Sequence, residues 1–196
     1  MDTKQNWSQD QILKLSCSKT ASIKSNAMKH LDITFSQFSE SLSRVIVTED
    51  KTKVPYYLRA QTVIRSDKEV ADTAYIIILD GDSHISSDGE IIDGAPPLDD
   101  VATVLEANDV PFVAYTTFSH VPSKWKYRVA IPCVYSREQL RPLLWYIFKL
   151  LHDAGVMLHD VKENSTWAQA WFMPSVRSSE AKEHFQYRCF NGGEHA

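Results

Sequence analysis

Asp80 and Asp82 close the segment IIILDGDSH, residues 76–84, a β-branched apolar run that ends in two acids. On a strand, residues two apart point the same way and stand about 6.7 Å apart at Cα. Two unpaired carboxylates so placed repel strongly in a low dielectric, and a divalent metal removes the conflict. An all-oxygen donor set suits Mg2+ or Mn2+, and a pair of such ions can activate an attacking oxygen and stabilise a leaving one. The alternative is an Asp-Gly-Asp turn, in which these residue types are common for backbone reasons.

A metal-held triphosphate would need cations as well. His120, Lys124, Lys126 and Arg128 lie within nine residues. Lys126 and Arg128, two apart, can share a face, Arg offering a bidentate phosphate grip and Lys a point charge. The other reading is a solvated hairpin with ordinary surface lysines. Trp125 could stack on a base or simply pack; Trp145, Trp167 and Trp171 read as core; His84, His152 and His159 have no ligand spacing.

The charges are unevenly spread. The chain has 196 residues, with 21 Lys+Arg against 25 Asp+Glu, and the net charge of −4 argues by itself against a nucleic-acid binder. From Asp67 to Asp109, however, twelve acids face one base, and from Ser119 to Lys149 six bases face one acid. The hydrophobic share of 43% is that of a globular protein, and this length can bury roughly 70% of the unfolded chain's surface without disulfides. Three widely spaced cysteines with no CxxC pair fit a reducing cytoplasm. No apolar run reaches the roughly 18 residues of a membrane span, and the polar N-terminus is no signal peptide.

These residues need elements to hold them. The first 30 residues are polar, and Trp7, Ile12, Leu13 and Leu15 allow at most a short helix in an appendage. Thr34 caps a helix carrying Phe35, Phe38, Leu42 and Val45. Residues 56–64 are extended, 74–79 a buried strand, and 83–97 a loop rich in Gly and Pro. Asp99 caps a helix ending near Asn108; 112–118 and 127–132 are strands joined by eight residues. Ser136 and Gln139 form a capping box for a long helix closed by Gly155, and Pro142 must bend that helix or move its start. A last strand comes from 156–158, from 170–173, or from both. The class is α+β, in the split β-α-β order of ferredoxin-like and RRM-like sheets: helices on one face, the other face open for ligands, and an N-terminal α/β extension. The division expected is residues 1–66 as an extension completing the fold and 67–196 as the core. In this topology the final strand runs beside the first, which nominates Asp160, in GVMLHD, as a third carboxylate; by spacing alone it is a loop aspartate.

IIILDGDSH, PPLDDVATVLEANDVPFVAYTTFSH, KWKYRVAIP, LHD and WAQAWFMPS occur in that order, and together resemble the archaeo-eukaryotic primase superfamily, in particular primase and primase-polymerase domains of plasmid and phage replication proteins. The resemblance covers about residues 74–175. It implies an RRM-like catalytic core and metal-dependent nucleotidyl transfer with Mg2+ or Mn2+, making primers from nucleoside triphosphates on a single-stranded DNA template. Asp80 and Asp82 would be the first metal motif and Asp160 the third. The second motif, small residue, any residue, histidine, holds phosphates; here Ser119 and His120 follow bulky Phe118, which shifts weight to Arg128, and Lys126 would join them in neutralising phosphate charge. Such domains are often fused to a helicase, so a replicative helicase, on a partner or on a further part of the protein, is expected.

Two other classes compete. A non-catalytic single-strand-binding or replication-initiation module would keep the sheet without turnover. A nicking endonuclease needs a histidine-hydrophobe-histidine pair, which this sequence lacks.

Overall fold

The computed structural model describes residues 10–193. In chain order they form β1 (Ile12–Ser18), β2 (Met28–Thr34), α1 (Phe35–Ser43), β3 (Ile46–Val47), β4 (Tyr56–Leu58), β5 (Thr73–Gly81), β6 (Ser83–Ile85) and β7 (Ile91–Asp93). There follow α2 (Leu98–Ala107), β8 (Phe112–Thr116), β9 (Tyr127–Ser136), α3 (Leu140–Asp153), α4 (Lys162–Ser165), β10 (Trp171–Phe172), β11 (Ser175–Val176) and β12 (Tyr187–Phe190). The fold is α+β with mainly antiparallel sheets. Among the described residues no helix is long and apolar enough to cross a membrane.

The central sheet has the order β12-β8-β9-β5, every neighbouring pair antiparallel. It carries a core on each face. Ile77 and Leu79 of β5 join Val101 and Leu105 of α2 and Leu144 and Phe148 of α3 on one side. Ile76 and Ile78 face the other way, against Leu13 and Leu15 of β1, Phe38 of α1, Tyr57 of β4 and Trp171 of β10. A strand covered on both faces has no polar alternate residues, which is why 74–79 reads as an unbroken apolar run.

The second core corrects two expectations. Trp7 lies outside the described residues, and residues 12–18 are a strand, not a short helix: Leu13 and Leu15 point inward at period two, and β1 pairs with β2 through seven residues and with β4. These strands, in the order β10-β4-β1-β2, cover the sheet face that was expected to stay open.

Local signals fared better. Thr34 caps α1 in a capping box with Gln37. Ser136 N–H donates to Gln139 Oε1, and residues 137–139 form a 3-10 turn, so Pro142 falls in the first turn of α3 and bends nothing. At the other end Gly155, at φ 81°, closes α3 with paired bonds from Gly155 N–H to His152 O and Val156 N–H to Leu151 O. Asp99 does not cap α2; Pro97 holds that position, and Asp99 pairs with Arg188 of β12. Within 83–97, expected to be a loop, β6 and β7 form a hairpin. The last-strand candidates part company: Leu158 forms a bridge with His84, in line with β5, whereas β10 joins the second sheet. Trp167 and Trp171 are core, but Trp145 is 66% exposed.

Candidate functional site

The end of β5 places Asp80 and Gly81 opposite Arg128 and Tyr127 of β9. Gly81 is not a turn glycine: it lies in the strand without a positive φ, and a Cβ there would come within 2.6 and 2.7 Å of Cδ2 and Cζ of the Tyr127 ring. The glycine is thus a spacing requirement, letting the two flanking carboxylates follow β9 closely.

Each acid meets a base across the sheet. Arg128 Nε donates to Asp80 Oδ1 at 3.0 Å, both side chains nearly buried. One step on, Lys126 Nζ lies 3.3 Å from Asp82 Oδ1 and donates to the Asp82 carbonyl at 2.5 Å and to Asp93 Oδ1 at 2.6 Å. Lys124 also pairs with Asp93, and the two lysines together hold that carboxyl down to about 2. Burial pushes the Asp80 carboxyl up, with Asp82 and Glu163 adding to the rise and Arg128 opposing it. Burial works against the charge of Arg128, yet Asp80, with Tyr115 and Tyr57, more than restores it.

Asp160 is brought to the same place. Ile85 N–H donates to Met157 O and His159 N–H to Ser83 O on either side of the His84–Leu158 bridge. That pairing lays the segment carrying Asp160 beside β6, the strand that follows Asp82. Asn164 ties the acids together: its Oδ1 accepts the Asp80 backbone N–H at 2.8 Å and its Nδ2 donates to Asp160 Oδ1 at 2.9 Å. The Asn164 carbonyl in turn accepts from Arg59 Nη2 at 2.9 Å.

Arg59 is fully buried, and its Nε has no hydrogen-bond partner among the described residues. Aromatic rings hold it. Its guanidinium lies 5.9 Å from the Trp167 ring centre and 5.8 Å from that of Trp171, and Arg128 lies 5.5 Å from Trp171. Such contacts are worth up to about 2 kcal/mol when desolvated. Arg59, Trp171 and Arg128 therefore form one packed chain of contacts that ends on Asp80.

Ser119 and His120 occupy a turn closed by His120 N–H donating to Thr117 O. Ser119 is exposed. His120 Nδ1 accepts a long bond, 3.4 Å, from Lys126 N–H, and its ring lies 5.0 Å from Trp125, which packs against the larger core. Burial, and then His184, depress its pKa. His184 arrives because the β12–β8 register extends through Gln186 and Thr116, which exchange bonds, toward Phe118. Arg177 lies 5.2 Å over the Phe118 ring.

Asp80, Asp82, Asp160, Lys126 and Arg128 thus gather at one sheet end, with Ser119 and His120 in the turn leading to Lys126. Glu163, Asn164, Asp93 and Arg59 were not anticipated. Asn164 lies in the short helix α4 and Asp160 just before it, and only the contact with β5 reveals the role of Asn164. In donor chemistry the acids suit a hard divalent cation. Among the described residues, no three His, Cys, Asp or Glu side chains already converge on a point where they could hold a metal. No family model matches the chain, and neither does any curated protein or solved structure.

Proposed function

We propose that this chain is the catalytic domain of a primase or primase-polymerase, a metal-dependent nucleotidyltransferase that makes primers on single-stranded DNA in plasmid or phage replication. The observation that carries the reading is the Asn164 clamp, which joins the Asp80 backbone at the end of β5 to the Asp160 carboxylate. The β8-β9-β5 order, with α2 and α3 on one face and Leu158 beside the extension of β5, supports an RRM-like core.

Asp80, Asp82 and Asp160 would hold Mg2+ or Mn2+, which would supply Lewis-acid activation of an attacking hydroxyl and neutralisation of triphosphate charge. The chain's own groups do the rest. Arg128 keeps buried Asp80 compensated, and Asn164 fixes the direction of Asp160. Lys126 is the cation best placed to move from Asp93 to a phosphate, with His120 beside it and Ser119 at the rim. Charge developing on the phosphates would be met by Lys126, His120 and Arg128. A replicative helicase remains the partner this activity calls for.

The test is template-dependent incorporation of nucleotides with Mg2+ or Mn2+. An Asp80→Ala plus Asp82→Ala protein should lose it; incorporation that survives this change would overturn the site. Because Asp80→Ala strands Arg128, the exposed Asp160→Asn serves as a second variant, expected to lose activity with its fold intact.

One observation favours a non-catalytic single-strand-binding module instead: both acids of β5 are already neutralised across the sheet by Arg128 and Lys126. That reading predicts DNA binding that weakens steeply with salt, ignores EDTA, and is accompanied by no incorporation.

A further inference from the structure

α3 sends Leu140, Leu144, Ile147, Phe148 and Leu151 into the core, yet leaves Trp145 66% exposed. The indole borders an open groove of about 550 Å3 that runs from α3 to Asp160 and Ser165. Pockets of this size hold small ligands or single residues of a larger one. Leu144 and Phe148 give the groove an apolar floor.

Its walls carry the bases Arg141 and Lys149 and, at the far side, the acids Asp153 and Asp160, and the bases stand in a regular order. Arg141, Trp145 and Lys149 succeed one another at four-residue spacing, so a guanidinium and an ammonium stand one turn to either side of the indole, about 6 Å away along the axis. Arg141 has no ion-pair partner among the described residues, and Lys149 is paired with Asp153, an exposed partner it must exchange to meet a phosphate. A ligand that matches this has a flat apolar face with an anionic link before and after it. Single-stranded nucleic acid has that form, whereas a duplex hides its base faces. Base-aromatic stacking with flanking cations is the usual basis of such binding.

We propose that the α3 groove is a single-strand nucleic-acid site, with a base stacked on Trp145, its flanking phosphates met by Arg141 and Lys149, and the strand led toward Asp160. The groove stands on its own geometry; only the assignment of the Asp160 end as the reacting end rests on the function proposed above.

The experiment is binding of a fluorescent oligothymidylate to the full chain in EDTA across a salt series. Trp145→Ala should weaken binding about tenfold to a hundredfold, the loss of one stacked base, and Trp145→Phe should restore most of it. Arg141→Gln should lower the slope of log K against log salt by about 0.7, one single-strand phosphate contact. Both positions are exposed, so circular dichroism should be unchanged. Wild-type affinity in both Trp145→Ala and Arg141→Gln, or no binding by the wild type, overturns the proposal. So does sedimentation showing self-association that Trp145→Ala abolishes without any oligonucleotide binding, which would make the groove an interface between copies. Incorporation is measured in parallel. If binding ignores Trp145 while incorporation depends on Asp160, the groove alone fails; if binding needs Trp145 and the wild type incorporates nothing, the catalytic reading alone fails.

Discussion

Gly81 shows how one side chain's absence can set a site. A Cβ there would press into the Tyr127 ring, which is itself buried in the larger core and has no room to yield. Gly81→Ala should cost about 1–3 kcal/mol in urea unfolding, the range for overpacking. His120 offers a second measurement. Its depressed pKa means that the unfolded chain binds the proton more readily, so this contribution to stability is present above pH 6.5 and is lost as the pH falls toward the folded pKa. Burial is the larger cause and His184 the smaller, so His184→Gln should move the His120 titration upward, part of the way to 6.5, as read from its ring proton shifts. No shift on this substitution would mean that the two imidazoles do not sense one another.

At the scale of elements, α4 is a four-residue helix whose one buried residue, Asn164, bonds to β5 and to Asp160. Asn164→Ala would leave the buried Asp80 N–H without an acceptor, a cost of about 1–3 kcal/mol. It should reduce nucleotide incorporation strongly while oligonucleotide affinity stays near wild type; equal loss of both would mark Asn164 as merely structural. The caps of α1 and α3 and the apolar run of β5 were legible because their determinants lie within a few residues of one another. β1 was not. Leu13 and Leu15 are too few to distinguish period two from a helix, and what settles it is pairing outside the segment, with β2 along its length and with β4 some forty residues away. β12 escaped notice for the same reason: its half-exposed residues become a strand only by pairing with β8.

The whole molecule is a four-stranded sheet between two cores, so the N-terminal strands are as much a part of it as the helices. Leu15→Ala should therefore lower stability by about 2–5 kcal/mol within a single cooperative transition. A separate early transition for the N-terminal segment would contradict that. The charge blocks also look different in three dimensions. Acids and bases read as separate halves along the chain, but the β5–β9 register lays one against the other. Which acid would meet which base depends on a register that composition does not encode, and Trp145 escaped for a related reason: helical spacing placed it one position off the buried stripe.

The Asp80–Arg128 pair constrains how this sequence can change over generations. Removing either partner strands a buried charge at a cost of about 3–5 kcal/mol, while replacing both together can be nearly neutral. A domain has only about 5–15 kcal/mol to lose. A lineage reaching a new pair one substitution at a time must pass through an ancestor that has spent a large part of that margin. The two positions should therefore be inherited together wherever the activity is kept and exchanged together where it is lost, and a descendant that retains only one of them should carry a stabilising change elsewhere.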